Sequence, residues 1–318
     1  MEFGRVASNK LKSIKLDLPK DAPATKRILA QKRRKKKLKV YVGCAKWGRK
    51  DWVGTLYPKG TKEKDFFKFY AQQFNSIEFN AAFYRLPDAN QIVEWKKNSP
   101  KDFLFCPKFS DQITHLRRLK NVEKETLNFV ETMSGLGSKL GPIFLMPHPQ
   151  MGLKRMDTIL EFLKSLPKDL KIFLELRHPE WFEEDNLEQI YEVCESLGVG
   201  AVITDTAGRR DCVHMRLSTP SVFIRFVGNG LHASDYTRID AWVKRIKKWI
   251  KDGIEEIYFF MHQHDEIYSP ILAKYLIEEL NSKCKLSLKV PELHSAKINL
   301  KNKKVIKPPQ RIIRRGAS

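Results

Sequence analysis

The sequence predicts an α/β protein, a (β/α)8 barrel of the TIM type flanked by basic, disordered tails. The main observation is that eight short apolar runs alternate with segments of helical periodicity, and eight parallel strands close such a barrel. A second observation is that several runs end on charged side chains, as at the carboxyl-terminal edge of a parallel sheet. No glycine-rich nucleotide-binding pattern follows any run, so an open doubly wound sheet is the weaker alternative.

The predicted strands and helices alternate along the chain. Strands are predicted at 40–44, 76–80, 103–106, 142–146, 172–175, 200–204, 222–227 and 257–261. Helices are predicted at 63–74, 89–98, 123–133, 154–166, 184–197, 236–251 and 270–280. The helix at 236–251 is the clearest, because Trp242, Ile246 and Trp249 recur every three to four residues. The connection 205–221 has little such periodicity and is predicted to be a long functional loop.

The net charge of +22 is concentrated in the two ends of the sequence. Residues 1–39 carry 14 Lys and Arg against 3 acidic residues, and residues 291–318 carry 8 against 1. Such blocks repel themselves, so we predict disordered tails at 1–39 and 286–318 around a domain at 40–285, with one helix at 25–36. The tails are either nucleic-acid-binding arms or solvated segments that aid solubility.

The cysteine pattern and the hydropathy of the sequence indicate the cellular compartment of the protein. The five cysteines are scattered and form no C-x-x-C pair, which favours reduced thiols over a disulfide or zinc framework. No run of about 18 apolar residues is present, so no membrane span is predicted. The first residues do not read as a secretory signal. We therefore predict a cytoplasmic protein without a membrane partner.

Charged side chains at the predicted strand ends form the candidate site. Because side chains alternate along a strand, Glu78, Glu175, Arg225 and His262 are expected to converge near the barrel mouth. Glu78 and Glu175 are candidate acid/base groups, since both terminate strands. A buried ion-pair network without a catalytic role is the alternative.

Further polar and aromatic residues follow the strands. Lys108 and Arg177 are candidate clamps for an anionic ligand, together with Arg225. His178 is either a catalytic group or the cap of a turn. Trp47 and Tyr84 lie in predicted loops, where aromatic rings stack on a ligand or pack the loops onto the helices.

The motifs carrying these residues resemble the YecE-like family, the domain of unknown function 72. They are VGCAKW at 42–47, FNSIEFNAAFYRLP at 74–87, FLFCPK at 103–108, ELRHPEWF at 175–182 and FIRF at 223–226. The resemblance covers about residues 40–282 and implies a TIM-barrel fold. It implies no activity, because the family is largely uncharacterised. It adds Arg85 and His115 to the candidate ligand-binding residues, and it matches His262 only in one branch of the family.

Three functional hypotheses follow. The favoured one is a protein that binds or acts on an anionic or sugar-like ligand at the rim, as a hydrolase if it is an enzyme. A glycosidase would need its two carboxylates roughly 5–10 Å apart, and Glu78 with Glu175 is the obvious pair. A second hypothesis is a metal-dependent phosphoesterase or nuclease. The third is a non-catalytic binding module tethered to nucleic acid by its tails.

The cofactor is not specified by the sequence. A divalent metal would use Glu78, Glu175, Asp205, His178 and His262, but this set forms no strong ligand motif, so no metal site is assigned. His262 and His264 share one face of a strand, and an isolated pair of this kind is weak support for a metal.

Overall fold

The computed structural model describes residues 3–31, 37–183 and 185–294. It contains all eight predicted strands, here β1 to β8. Their bounds are Lys39–Cys44, Ser76–Phe79, Leu104–Pro107, Ile143–Leu145, Ile172–Leu174, Gly200–Asp205, Ser221–Gly228 and Glu256–Gln263. All observed pairings are parallel.

The sheet is curled and forms a half-barrel. Six strands are hydrogen-bonded in the order β1-β8-β7-β6-β5-β4, and β2 and β3 form a separate pair. The α/β class and the parallel strands are confirmed, whereas a continuous eight-stranded ladder is not observed in the described residues. Between β3 and β4 the contact is limited to isolated bridges, such as Lys108 with Phe144.

Nine α-helices lie in the described part of the chain, α1 to α9. Their bounds are Pro23–Gln31, Phe66–Gln73, Ala81–Tyr84, Ala89–Lys97, Glu123–Ser134, Met156–Ser165, Asn186–Leu197, Ala233–Asp252 and Ser269–Cys284. The connection between β6 and β7 contains only a short 3₁₀ turn, Arg210–Cys212, as its weak periodicity predicts. No helix in the described ranges is long and apolar enough to cross a membrane.

The seam between β1 and β2 is bridged partly by the Asn75 side chain. Its Oδ1 accepts from the Val42 amide at 2.8 Å, and its Nδ2 donates to the Val40 carbonyl at 2.9 Å. One amide side chain thus satisfies a donor and an acceptor that a neighbouring strand would otherwise pair. β2 is consequently held beside β1 without a backbone ladder.

The Tyr70 hydroxyl bridges the same seam further along. It accepts from the Cys44 amide at 2.7 Å and donates to the Ser76 carbonyl at 2.9 Å. Gly43 allows this approach, because a Cβ there would lie 2.1 Å from the Ser76 carbonyl oxygen. The seam therefore depends on a residue without a side chain and on a buried tyrosine.

An apolar layer fills the inside of the curled sheet below the charged strand ends. It consists of Cys106, Phe144, Phe173, Val202, Phe223, Tyr258 and Phe260. Phe173, Phe223 and Phe260 each lie two residues before a charged side chain of the candidate site. The alternation of a strand therefore places an apolar floor under that site.

The segment before β1 differs from the prediction of a disordered tail. Residues 3–31 pack on the domain, and α1 buries Ile28 and Leu29. Asp21 accepts from Arg245 at 2.5 Å and from the Trp249 indole at 3.1 Å. The sequence did not indicate this packing, because the segment is rich in basic residues and its apolar residues are few and widely spaced. The predicted helix 25–36 is observed as α1, and residues 32–36 lie outside the described residues.

The segment after α9, which begins the predicted C-terminal tail, also contacts the domain in the described residues. Leu286, Leu288 and Val290 pack against the core, and the His294 amide donates to the Thr55 carbonyl at 2.9 Å. Their alternation with polar residues is the signal for an extended, half-buried segment. Residues 295–318, the rest of the predicted tail, lie outside the described residues.

Replacing Thr25 with valine tests whether residues 3–31 are an integral part of the domain. The Thr25 hydroxyl is buried, donates to the Met215 carbonyl and accepts from the Leu217 amide, both at 2.8 Å. Valine keeps the shape but leaves the Leu217 amide unpaired, so we expect a loss of about 1–3 kcal/mol in unfolding free energy. Denaturant unfolding measures this loss.

The matched control is Thr237→Val, at an exposed position of α8 where the hydroxyl bonds only within its own helix. A Thr25→Val loss no larger than that of the control would show that this segment contributes little to the fold.

Candidate functional site

The centre of the site is Arg225 on β7, which joins carboxylates from two other strands. Its Nε and Nη2 donate to Glu78 on β2 at 2.9 and 2.7 Å, and its Nη1 donates to both oxygens of Glu175 at 3.0 and 2.8 Å. All three side chains are at most 2 % exposed. The guanidinium fork therefore holds two buried carboxylates at once.

Glu78 has further partners on its outer side. Asn80 donates to its Oε1 at 2.8 Å, and His262 Nε2 lies 2.9 Å from its Oε2. The other ring nitrogen of His262 lies 3.7 Å from Glu266, which accepts from the Ser269 hydroxyl at 2.5 Å. A chain of polar contacts thus runs from Arg225 through Glu78 to the start of α9.

Glu175 is equally well satisfied. Its Oε1 accepts from Arg177 Nε at 2.9 Å and from the Thr204 hydroxyl at 2.8 Å. With the two contacts from Arg225, no oxygen of Glu175 lacks a donor. The same holds for both oxygens of Glu78, so the carboxylates are fully committed.

The electrostatics favour the ionised form of both carboxylates. Burial alone would raise the pKa of Glu78, but the charges of Arg225 and His262 hold it well below its usual range. At Glu175 burial likewise raises the pKa, but the charges of Arg177 and Arg225 outweigh it and lower the pKa to about 2. Burial alone would lower the pKa of His262, but its contacts with Glu78 and Glu266 outweigh burial, so the pKa is raised. The cluster is therefore a network of paired charges.

Lys108 lies beside this network and makes no ion pair with a described side chain. It follows β3, is only 8 % exposed, and its Nζ lies 3.7 Å from the centroid of the Phe83 ring. No hydrogen bond or ion pair to Nζ is present among the described residues. Burial, and then the charges of Arg225 and Arg177, lower the pKa of Lys108 to about 7.

The rim next to Lys108 is formed by the segments after β2 and β3. The Phe83 ring contacts Tyr84 and His115 edge-on at 4.9 and 5.0 Å. Tyr84 is 77 % exposed, and Arg85 is exposed as well. Burial, together with the charge of Lys108, lowers the pKa of His115 to about 4, so its imidazole is neutral. Tyr84 and His115 therefore contact the same ring as Lys108, outside the ion-pair network, and Arg85 follows Tyr84 in the sequence.

The segment that precedes α1 reaches Arg177 of the network. The Phe3 ring lies 4.1 Å from the Arg177 guanidinium carbon and 5.4 Å from that of Arg209. The Gly4 carbonyl accepts from the Gly208 amide at 2.9 Å. Phe3 thus covers the one guanidinium of the network that is partly exposed, since Arg177 retains 10 % side-chain exposure.

Two predicted site residues lie apart from this network. Trp47 stacks on Phe79 at 5.5 Å and meets Trp95 edge-on at 5.4 Å, so its ring packs a loop onto the helices. His178 Nδ1 accepts from the Glu180 amide at 3.4 Å and caps a 3₁₀ turn. Trp47 therefore packs and His178 caps a turn, as their structural alternatives predict, and a ligand-binding or catalytic role for either residue stays a prediction.

Sequence reasoning missed several partners. Asn80, Thr204, Glu266, Phe83 and Phe3 were given no role. Thr204 could have been found from strand alternation, because it shares a face with Val202, whose side chain belongs to the apolar floor. Phe3 carried no signal, since it lies more than 170 residues from Arg177 in the sequence.

The residues proposed for a metal are only partly brought together: Glu78, Glu175 and His262 lie in the network of Arg225, whereas Asp205 and His178 lie in separate contacts. Asp205 accepts from Arg238 Nη2 at 2.7 Å and from the Trp242 indole at 2.6 Å, on the helix side of the sheet. Glu78 and Glu175 both bind the guanidinium of Arg225, which occupies the space that a metal ion would need. Within the described ranges no group of three or more His, Cys, Asp or Glu side chains has a metal-binding arrangement.

Fold and site together define an α/β protein whose curled parallel sheet holds a buried charged cluster at the carboxyl ends of its strands. The chain belongs to the family described as "Protein of unknown function DUF72", which matches residues 41–295. The family inferred from the sequence motifs is thereby confirmed.

Two relatives illustrate the family. The chain is 28% identical over 260 residues to UPF0759 protein YecE of Escherichia coli K12, covering 76% of this chain and 92% of that protein. It is 25% identical over 184 residues to UPF0759 protein YunF of Bacillus subtilis, covering 52% and 64%. Neither name specifies an activity.

Two crystal structures share the fold. A DUF72 family protein from Thermotoga maritima superposes with a TM-score of 0.61 at 21% identity, over 76% of this chain and 99% of that one. A DUF72 family protein from Enterococcus faecalis gives 0.59 at 17% identity, over 79% and 99%. At these identities the likeness concerns the fold.

Proposed function

We propose that the protein binds a small anionic ligand at the carboxyl ends of its strands, between Lys108 and Arg177. The observation that carries this proposal is the unpaired amine of Lys108 beside a network in which every carboxylate is already paired. When protonated, this amine adds a positive charge that no described side chain balances. An anion placed there would supply the missing charge.

The charge balance of the network supports this assignment. Arg225 and Arg177 offset Glu78 and Glu175, and His262 faces Glu266. Lys108 is left over, and Arg177 directs only one of its donors, Nε, to a described carboxylate. A carboxylate or phosphate group would accept from both cations.

We assign the two carboxylates a positioning role. A general acid needs a pKa raised toward the working pH, whereas both carboxyl pKa values are lowered. Glycoside hydrolysis likewise needs one protonated carboxyl. Lys108 and His115, whose pKa values are about 7 and about 4, are the better candidates for proton transfer, so an enzyme of this site would use Lys108.

We also infer that the eight strands are arranged as a distorted (β/α)8 barrel. Support comes from Arg225 on β7, which contacts side chains of both β2 and β5 across the interior. The side-chain bridges of Asn75 and Tyr70 would then occupy the place of the missing ladder between β1 and β2.

The other hypotheses have less support. A metal-dependent phosphoesterase would need Asp205 and His178 near Glu78, and they lie in separate contacts. Nucleic-acid binding by basic segments stays a prediction, because residues 32–36 and 295–318 lie outside the described part of the chain.

Substitution of Lys108 tests the anion site. Binding of inorganic phosphate, sulfate and small carboxylates is measured by calorimetry and thermal shift on the full chain. Because a hydrogen bond to a charged group contributes about 1.5–3 kcal/mol, Lys108→Met should weaken binding of the best anion by roughly 10–100-fold.

The control is Lys97→Met, at an exposed position of α4, which should leave the affinity unchanged. Equal affinity in the wild type and Lys108→Met would refute the assignment, as would the absence of saturable anion binding in the wild type.

A further inference from the structure

The Lys108 side chain has the surroundings of a nucleophilic amine. It is more than nine-tenths buried at the end of β3, and its Nζ rests on the face of the Phe83 ring at 3.7 Å. Both nearby carboxylates are held by other donors: Glu78 by Arg225 and Asn80, and Glu175 by Arg225 and Arg177. No hydrogen bond or ion pair among the described residues therefore fixes Nζ in its protonated form, and the charges of Glu175 and Glu78 act on it only from a distance.

Burial and two neighbouring cations favour the neutral amine. Burial limits the water that would solvate an ammonium ion, and the positive charges of Arg225 and Arg177 add to this effect, which outweighs the opposing charges of Glu175 and Glu78. With its pKa at about 7, roughly half of the amine carries a free electron pair at neutral pH, compared with less than one part in a thousand for an ordinary lysine. Desolvation beside another cation is how lysines become nucleophiles toward carbonyl carbon.

We propose that Lys108 forms a Schiff base with the carbonyl group of a small anionic aldehyde or ketone, such as a 2-oxo acid or a phosphorylated carbonyl compound. The proposal rests on the anion site and adds the reactive group of the ligand. Arg177 would hold the carboxylate or phosphate, which places the carbonyl carbon toward Nζ.

The reaction balances without an oxidant or a reductant. The Nζ electron pair attacks the carbonyl carbon while the C=O π bond breaks, nitrogen gives up one proton and the former carbonyl oxygen takes one up, which gives a carbinolamine. The hydroxyl then leaves as water with the second nitrogen proton, and a C=N bond remains. His115, neutral and in contact with the same Phe83 ring, is the neighbouring imidazole that could relay the proton.

The test is reductive trapping on the full chain. The protein is incubated at pH 7 with glyoxylate or pyruvate and cyanoborohydride, and adducts are counted by intact mass and located by peptide mapping. We expect one dominant adduct at Lys108, with a labelling rate that rises through pH 7. Adducts spread over exposed lysines, with Lys108 unmodified, would overturn the proposal.

Two variants separate this proposal from the anion site. Lys108→Arg keeps the positive charge and should retain phosphate binding while losing the adduct, whereas Lys97→Arg should retain both. Because a folding defect would also remove the adduct, phosphate protection of the wild type is measured as a second readout. Saturating phosphate should slow labelling at least tenfold.

The outcomes distinguish the two proposals. Phosphate binding without a Lys108 adduct would leave the anion site standing and refute the Schiff base. A Lys108 adduct that phosphate does not slow would support a reactive amine and refute the anion site next to it.

Discussion

Replacing Arg225 with methionine is expected to destabilise the protein by about 3–5 kcal/mol, because breaking a buried ion pair leaves uncompensated charge. Glu78 and Glu175 are both fully buried and each accepts two hydrogen bonds from this guanidinium. Methionine matches the length of the side chain but supplies no donor. Denaturant unfolding at pH 7 measures the loss.

The pH dependence identifies the cause of this loss. In the wild type both carboxyl pKa values are lowered, so their ionised forms stabilise the fold above the unfolded-state pKa of about 4.3, and this contribution is lost as the pH falls. In Arg225→Met the guanidinium no longer offsets burial, so the buried carboxyls take up protons at a higher pH than in the wild type. Because a protonated carboxyl no longer needs the guanidinium, the difference in unfolding free energy between Arg225→Met and the wild type should shrink between pH 7 and pH 4.

Arg216→Met is the matched control. Arg216 is as buried as Arg225, but its partners Glu188 and Glu195 keep 39% and 24% side-chain exposure. Water can solvate these carboxylates when the arginine is removed, so we expect a smaller loss with little change between pH 7 and pH 4. Equal losses in both variants at every pH would show that stranded carboxylates are not the cause.

Replacing Gly43 with alanine should open the seam between β1 and β2. The new Cβ would lie 2.1 Å from the Ser76 carbonyl oxygen and 3.0 Å from the Tyr70 hydroxyl, and neither can move without breaking the bridge. Overpacking of this kind costs typically about 1–3 kcal/mol, occasionally more. Since backbone is the obstacle, we expect at least the upper end of that range, together with faster amide exchange at Cys44.

Gly48→Ala provides the control, because a Cβ at this exposed position meets nothing within 4 Å. It should leave stability and exchange unchanged. If Gly43→Ala unfolds at the same denaturant concentration as Gly48→Ala, the close approach of the two strands does not limit stability.

Much of the fold could be predicted from local pattern. The eight strands follow from apolar runs, and the charged ends of β2, β5, β7 and β8 follow from alternation along each strand. The seam could not be predicted, because the hydrogen bonds of Asn75 and Tyr70 depend on how closely two strands approach. The packing of residues 3–31 was missed for a related reason, since Thr25 bonds to Met215, 190 positions away.

The residues of the site could be predicted from the sequence, but their roles could not. Alternation along the strands predicts Glu78 and Glu175 at strand ends. Their protonation state is decided by Arg225, which comes to lie between them only in the tertiary structure. The same is true of Lys108. Its distinguishing property is that no carboxylate among the described residues pairs with it, and this can be recognised only once the neighbouring carboxylates are seen to pair with other residues.

The contact of Phe3 with Arg177 affects how any affinity for this site should be understood. A ligand that approaches the guanidinium from the side of Phe3 must displace a ring that the same polypeptide holds in place at high effective concentration. The measured dissociation constant is then the intrinsic one divided by the fraction of molecules in which Phe3 has moved away. At the proposed anion site, residues 3–6 would thus act as a competitor built into the chain and would raise the ligand concentration at which the site begins to fill.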